Sequence, residues 1–179
     1  MTSDSDRRLL LRLAREAITA HVEAGPPPNP GLAGILARPG GAFVSLHKHG
    51  ELRGCIGHIE PNEPLGRVVL RCAVAACSTD PRFPGVTAAE LPELDIELSL
   101  LGPLEPIGGA GEIEIGRHGL VVEQGWTRGL LLPQVAVEWQ WGAETFLAYT
   151  CQKAGLAHDA WKKGARIFRF EAEVFGERP

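Results

Sequence analysis

The sequence predicts an α+β fold, a largely antiparallel sheet flanked by helices. Three observations carry that expectation. The stretches 42–59 and 120–132 each read as two strands joined by a tight turn, a connection open only to antiparallel neighbours. Segments 94–101 and 166–175 alternate apolar and polar residues, as half-buried strands do. Helical periods at 6–23, 64–78 and 143–154 fall between these strands without the regular βαβ alternation of a parallel sheet.

Taken in order, Leu10, Leu13, Ala14, Ala17, Ile18 and His21 recur at spacings of three and four, with Asp6 as the expected cap. Residues 1–6 are expected to be a flexible terminus ahead of a single domain spanning 7–177. GPPPNPG at 25–31 ends the helix, because proline lacks the backbone donor. AFVSL and LRGCIGHI then flank the turn KHGE, with Lys48 opposite Glu51. A regular ladder places Cys55 on one face with Arg53, Val44 and Leu46, and His58 on the other. A bulge at Gly54 or Gly57 would change that.

Asn62 is the expected cap of the next helix, with Pro64 in its first turn. Leu65, Val68, Val69, Cys72 and Ala76 share its apolar face, with Arg67 and Arg71 on another and an end near Asp80. In LDIELSLL, Leu94, Ile96, Leu98 and Leu100 face one way and Asp95, Glu97 and Ser99 the other. Residues 102–111 read as a loop. A hairpin follows with GWTR at its tip. In the helix after it, Phe146, Leu147, Thr150 and Cys151 face inward and Gly155 marks the stop. The last strand sets Phe168, Phe170, Ala172 and Val174 on one side.

The chain has 179 residues, 44% of them hydrophobic and 22% charged, enough for one domain with a proper core or two lobes. A net charge of −4 argues against nucleic acid as a partner, and Lys162, Lys163, Arg166 and Arg169 read as a solvated surface. Trp139, Trp141 and Trp161 read as packing residues, because stacking platforms for bases come with a basic groove. Arg12, Arg15 and Glu16 interrupt the first apolar run, so no signal peptide or membrane span is expected. Cys55, Cys72, Cys77 and Cys151 form no CxxC pair and read as reduced thiols of a cytoplasmic protein.

ELRGCIGHI carries the chemistry. Glycines flank the pair Cys55–Ile56, baring the sulfur and backbone N–H groups that can bind an anion. Arg53 on the same face would favour the thiolate, which is a few per cent of a free thiol at pH 7. The plain alternative is a small buried hydrophobe. Catalysis needs a base. His118 is the candidate, with a structural turn histidine as the alternative. His47, His49, Cys55 and His58 lack a recognised zinc spacing, so no metal is expected. The absence of Walker, Rossmann and CxxxCxxC patterns argues against a nucleotide or iron–sulfur cofactor.

The segments ELRGCIGHIEPNEPL, DPRFPGVTAAELPELDIELSLL, GRHGLVVE, GLLLPQVAVE, FLAYTCQKAGL with Trp161, and RFEAEVF together resemble the AMMECR family, that of the AMME chromosomal-region protein. Its bacterial and archaeal members include protein A of the AmmeMemoRadiSam system. The resemblance covers residues 7–177 and implies an α+β fold with a smaller second lobe. It also implies a Memo-like protein and a radical-SAM enzyme as partners, and LRGCIG as functional centre, without a particular reaction. Family blocks suggest that Arg53, Gly54, Gly57, Asp80, Arg82, Gln134 and Glu138 contact a ligand. Asp80 otherwise closes a helix and pairs with Arg82, and Gln134 or Glu138 otherwise caps one. Where the family carries Thr or a similar small residue this chain has His58, and His47 and His49 in HKHG are particular to it, so these histidines inherit no role.

Two functions follow. One is an accessory enzyme or substrate-handling subunit, acting on a small molecule or protein through Cys55. The other is a non-catalytic adaptor in which LRGCIG is a packing motif.

Overall fold

The structure is a computed structural model, describing residues 2–178; Met1, within the terminal stretch 1–6, and Pro179 lie outside them. It is α+β, and every strand pairing described below is antiparallel. The chain divides into two compact units, one running to Leu101 and resuming at Glu173, the other spanning Gly102–Ala172.

The first unit opens with helix α1 (Asp4–Val22), which buries Leu10, Leu13, Ala14, Ala17 and Ile18 as its period requires. Its cap is Ser3, not Asp6: the Ser3 hydroxyl accepts the Asp6 N–H, satisfying one orphan donor of the first turn. His21, expected on the apolar face, is exposed. Strands β1 (Gly41–Lys48) and β2 (Glu51–His58) form the expected hairpin, with Lys48 opposite Glu51. His49 and Gly50 turn the chain with φ of 53° and 84°, the left-handed pair a two-residue hairpin needs.

Helix α2 (Leu65–Ser78) buries Leu65, Val68, Val69, Cys72 and Ala76. Pro64 takes its N-cap position and no side chain caps it; Asn62 instead faces the His58 ring, Oδ1 to Nε2 at 3.1 Å. Strand β3 (Leu94–Leu101) pairs along β1 and buries Leu94, Ile96 and Leu98 as expected, though Ser99 is buried too and Leu100 only half-buried. α2 lies against β1 and β2, and α1 against α2 and β3. The end of the last strand, β7 in chain order (Arg166–Gly176), neighbours β3. The core gathers these inward faces, with Val44, Leu46, Val68, Val69, Ile96 and Leu98 fully buried.

In the second unit, residues 105–107 form a short strand, β4 (Glu105–Ile107), where a loop was expected. It is an edge strand on β7, which is how it tolerates Pro106. Strands β5 (His118–Gln124) and β6 (Thr127–Leu131) make the second hairpin, turning at Gly125–Trp126, so Thr127 and Arg128 already belong to the strand. A further helix, α3 (Pro133–Glu138), precedes α4 (Ala143–Lys153). α4 buries Phe146, Leu147, Thr150 and Cys151, and Gly155 beyond it has φ of 75°. Trp141 and Trp161 pack on this core as expected, whereas Trp139 is 67% exposed.

β7 overturns the expected facing. Ile167 joins the second core and Phe175 packs on the first, while Val174 is 45% exposed. Of the even-numbered residues Phe170 is buried, its ring lying over Gly119.

Gly54 and Gly57 stand where no side chain fits. A Cβ at Gly54 would run into the carbonyl oxygen of Ala76 in α2, and one at Gly57 into the Phe43 ring. Gly54→Ala should therefore lower stability by about 1–3 kcal/mol, the range for forced overpacking. At Gly85 the nearest atom to an added Cβ, Cys77 O, is 3.9 Å away. Gly85→Ala should stay within about 0.5 kcal/mol of the parent. Urea midpoints of both variants check this.

Candidate functional site

A one-residue slip decides which way Cys55 points. Counting back from the turn in a regular ladder pairs Cys55 with Val44 and Arg53 with Leu46. The observed register shifts between Leu46 and His47, so that Leu46 faces Gly54, Ser45 faces Cys55 and Val44 faces Ile56. Arg53 is the extra residue of a bulge. Cys55 is thereby moved off the face of Val44 and Leu46, correcting the expectation above; slipping by one reverses every side chain beyond it. His58, opposite Ala42, does lie on the other face from Cys55.

Cys55 is half-buried, and its Sγ accepts a hydrogen bond from Ser45 Oγ at 3.1 Å. Glu97 stands opposite Ser45 on β3, so Cys55, Ser45 and Glu97 form one row across three strands. Burial raises the thiol above its ordinary pKa. The Ser45 bond and the Arg82 charge oppose that rise, and the Asp80 and Glu97 carboxylates add to it. Cys72 and Cys77 are pushed up further by burial, to about 11.

Asp80, 4% exposed, follows α2 and turns into this row. Its Oδ2 accepts the Cys55 N–H at 2.9 Å and Arg82 Nη2 at 2.7 Å; its Oδ1 accepts the N–H and Nε of Arg82 at 3.1 and 3.0 Å. Arg82 Nη2 also donates to Cys55 O at 3.3 Å. The Arg82 guanidinium, with these N–H donors, holds the Asp80 carboxyl far below the usual carboxylate range. Two groups that would activate a cysteine, its own N–H as an anion donor and a nearby cation, are thus bound to one carboxylate.

Arg53 does not serve the thiol. It grips Glu90 with Nε to Oε1 at 3.0 Å and Nη2 to Oε2 at 3.2 Å, and donates to Pro84 O at 2.9 Å and Gly85 O at 3.3 Å. Its hydrogen bonds, and then the Thr87 N–H, pull Glu90 down to a pKa of about 2, and through Thr87 Glu90 also caps the 3-10 turn Ala88–Glu93. Arg53 is a clamp on the 84–90 loop, and Arg82 is the cation at Cys55.

The histidines have separate settings. His49 Nε2 meets Glu93 at 2.6 Å, His58 meets Asn62, and His47 Nε2 is buried without a hydrogen-bond partner among the described residues. Among the described residues no group of three or more His, Cys, Asp and Glu side chains could hold a metal ion.

His118, Gln134 and Glu138 belong to the second unit. The Glu114 N–H donates to His118 Nδ1 at 2.9 Å, and the His118 N–H returns to Glu114 O at 3.0 Å. The neutral ring has one lone pair, and this turn uses it. Gln134 and Glu138 lie inside α3, not at its cap, which carries no side-chain bond.

Comparison with known proteins places this architecture. The AMMECR1 family profile matches residues 11–175. The chain belongs to the AMMECR1 family. A protein of Methanothermobacter thermautotrophicus is 43% identical, across 98% of this chain and 96% of that one. A protein of Thermococcus gammatolerans is 45% identical, across 94% and 88%. The crystal structure of an uncharacterized protein from Pyrococcus horikoshii is similar with a TM-score of 0.88 at 41% identity, covering 94% of this chain and 90% of that one. Among the described residues no helix is long and apolar enough to cross a membrane.

In this AMMECR1 chain, sequence reasoning overlooked Ser45, Glu90 and Glu97. The polar Ser45 within AFVSL was the available signal, but using it required the bulge. On the same face Ser99 Oγ is buried without a partner among the described residues, and Asp95 pairs with Arg178 at 2.6 Å.

Asp80→Asn would turn an amide NH₂ towards donors that now meet a carboxylate oxygen. The loss at pH 7 should be about 2–3 kcal/mol, below the 3–5 kcal/mol of a fully buried pair because Arg82 is half in water. Folding lowers the pKa of Asp80, so its contribution is complete above about pH 5 and fades as pH falls through the ordinary value of about 3.9 towards the lower folded one. Parent and variant stabilities should therefore converge on acidification, as denaturant titrations at several pH values can check.

Proposed function

We propose that the protein is a non-catalytic adaptor and that LRGCIG is the packing motif that builds its first unit. The observation carrying this reading is the Asp80 carboxylate, which takes up both the Cys55 N–H and Arg82. The thiol beside it is raised in pKa, and its hydrogen bond comes from a serine hydroxyl, a weak base. The roles of Gly54, Gly57 and Arg53 as close contacts and a loop clamp support the same view. In this reading the partners are the Memo-like protein and radical-SAM enzyme implied by the family resemblance, and the polar row Cys55–Ser45–Glu97 is a contact surface.

One observation favours the accessory-enzyme reading: Cys55 is half-buried while Cys72, Cys77 and Cys151 are buried. Iodoacetamide labelling followed across pH separates the two. The adaptor reading expects Cys55 to label slowly at pH 7, with a midpoint above the free-thiol value of about 8.5. Cys72 and Cys77 should label more slowly still. A midpoint below that of free cysteine, lost in Cys55→Ser, would instead establish an activated nucleophile.

A further inference from the structure

The second unit carries a row of rings with no part in the Cys55 face. α3 ends at Glu138, and Gln140 then takes φ of 53°, a left-handed conformation usually left to glycine. The Trp141 N–H closes the reversal on Ala136 O at 2.8 Å. Trp139 and Trp141 are brought into a stack, centroids 6.1 Å apart and planes at 20°. Trp141 lies on Tyr149 of α4 at 4.2 Å with planes 3° apart, and Tyr149 tilts against His158 at 5.7 Å. The core holds Trp141, but Trp139 is 67%, Val137 54% and Tyr149 40% exposed. Contiguous apolar surface of this kind marks interaction sites on soluble proteins.

Charge decides what the stack accepts. Four other rings have cations over them: Lys162 lies 4.7 Å over Trp161, Arg166 5.9 Å over Phe168, Arg82 5.5 Å over Phe83 and Arg7 5.8 Å over Phe175. Among the described residues no such cation covers Trp139, Trp141 or Tyr149. The residue before Trp139 is Glu138, exposed and without an ion pair among the described residues. A nucleic-acid strand would meet that carboxylate with its phosphates. A guanidinium suits both groups, since its plane stacks on an indole and its N–H fork matches a carboxylate.

We propose that the Trp139–Trp141–Tyr149 stack, with Glu138 beside it, docks an arginine-bearing basic segment of a partner protein. The guanidinium lies on the exposed side of Trp139, and Glu138 is its counter-charge. The site belongs to the second unit and does not depend on the chemistry of Cys55.

The test titrates the full chain with the peptide acetyl-Gly-Arg-Gly-Arg-Gly-amide, following the indole N–H resonances, assigned through single Trp→Phe variants. Saturable shifts are expected at Trp139 and Trp141 but not at Trp126 or Trp161. Trp139→Ala and Glu138→Gln should each weaken binding on the order of tenfold. Both positions are exposed, so melting should be unchanged, and Cys55→Ala should bind as the parent does. A peptide with citrulline for arginine, the same shape without the charge, should not bind. The proposal is overturned by the absence of saturation at millimolar peptide, by equal binding of the citrulline peptide, or by full affinity in Trp139→Ala. It is equally overturned if a single-stranded oligonucleotide or an oligosaccharide shifts Trp139 and the arginine peptide does not.

Discussion

The first unit is organised by the contact between β2 and α2 at Gly54, where strand and helix backbones meet with no room for a side chain. A helix seated that deep brings the residues following it back to the strand it covers. Asp80, just past the end of α2, thereby reaches the N–H of Cys55, the residue after Gly54. Arg82 follows Asp80, and the Val86 N–H returns to Cys77 O at 2.8 Å. Arg53, on the other side of Gly54, grips the same returning loop at Pro84, Gly85 and Glu90. One close approach thus fixes a strand, a helix and a loop together, and LRGC and DPRFP are two halves of one joint.

That joint also sets the surroundings of the Cys55 thiol, whose pKa burial raises. Activated cysteines have a cation or helix terminus directed at the sulfur and a base within reach. Here the nearest guanidinium is spent on Asp80, whose own negative charge acts on the thiol in the opposite sense. The result is a polar row in which the Glu97 carboxylate, like Asp80, disfavours the thiolate.

Much of the architecture is legible in sequence because local periods report it. The faces of α2 and α4 follow from the spacing of Leu65, Val68, Val69 and Cys72, and of Phe146, Leu147, Thr150 and Cys151. The first hairpin follows from His49–Gly50 and its flanking charges. What local pattern does not carry is register. The bulge at Arg53 is set by packing against α2 and by Glu90, which lies 37 residues away, and it exchanges the expected parts of Arg53 and Arg82. β4 was hidden by Pro106, which is compatible with an edge but not an interior strand. β7 misled because apolar residues occupy both its faces, Ile167 and Phe175 on one and Phe170 on the other. The location of the candidate site was therefore readable, but not the direction in which its thiol points.

β7 has a consequence for how the protein is made. Residues 102–172 form a unit continuous in sequence, whereas the other unit needs the segment from Glu173 onward. Phe175 packs on its core, the Glu177 N–H bonds to Ile96 O at 3.0 Å, and Glu177 pairs with Arg15. During synthesis the later-encoded unit can close as soon as it has left the ribosome. The earlier one must wait, with α1 and its hairpin already in solution, until the segment from Glu173 has emerged. The interval in which apolar surface awaits its last strand belongs to the amino-terminal half, and there a chaperone or a neighbouring nascent chain would find its opening.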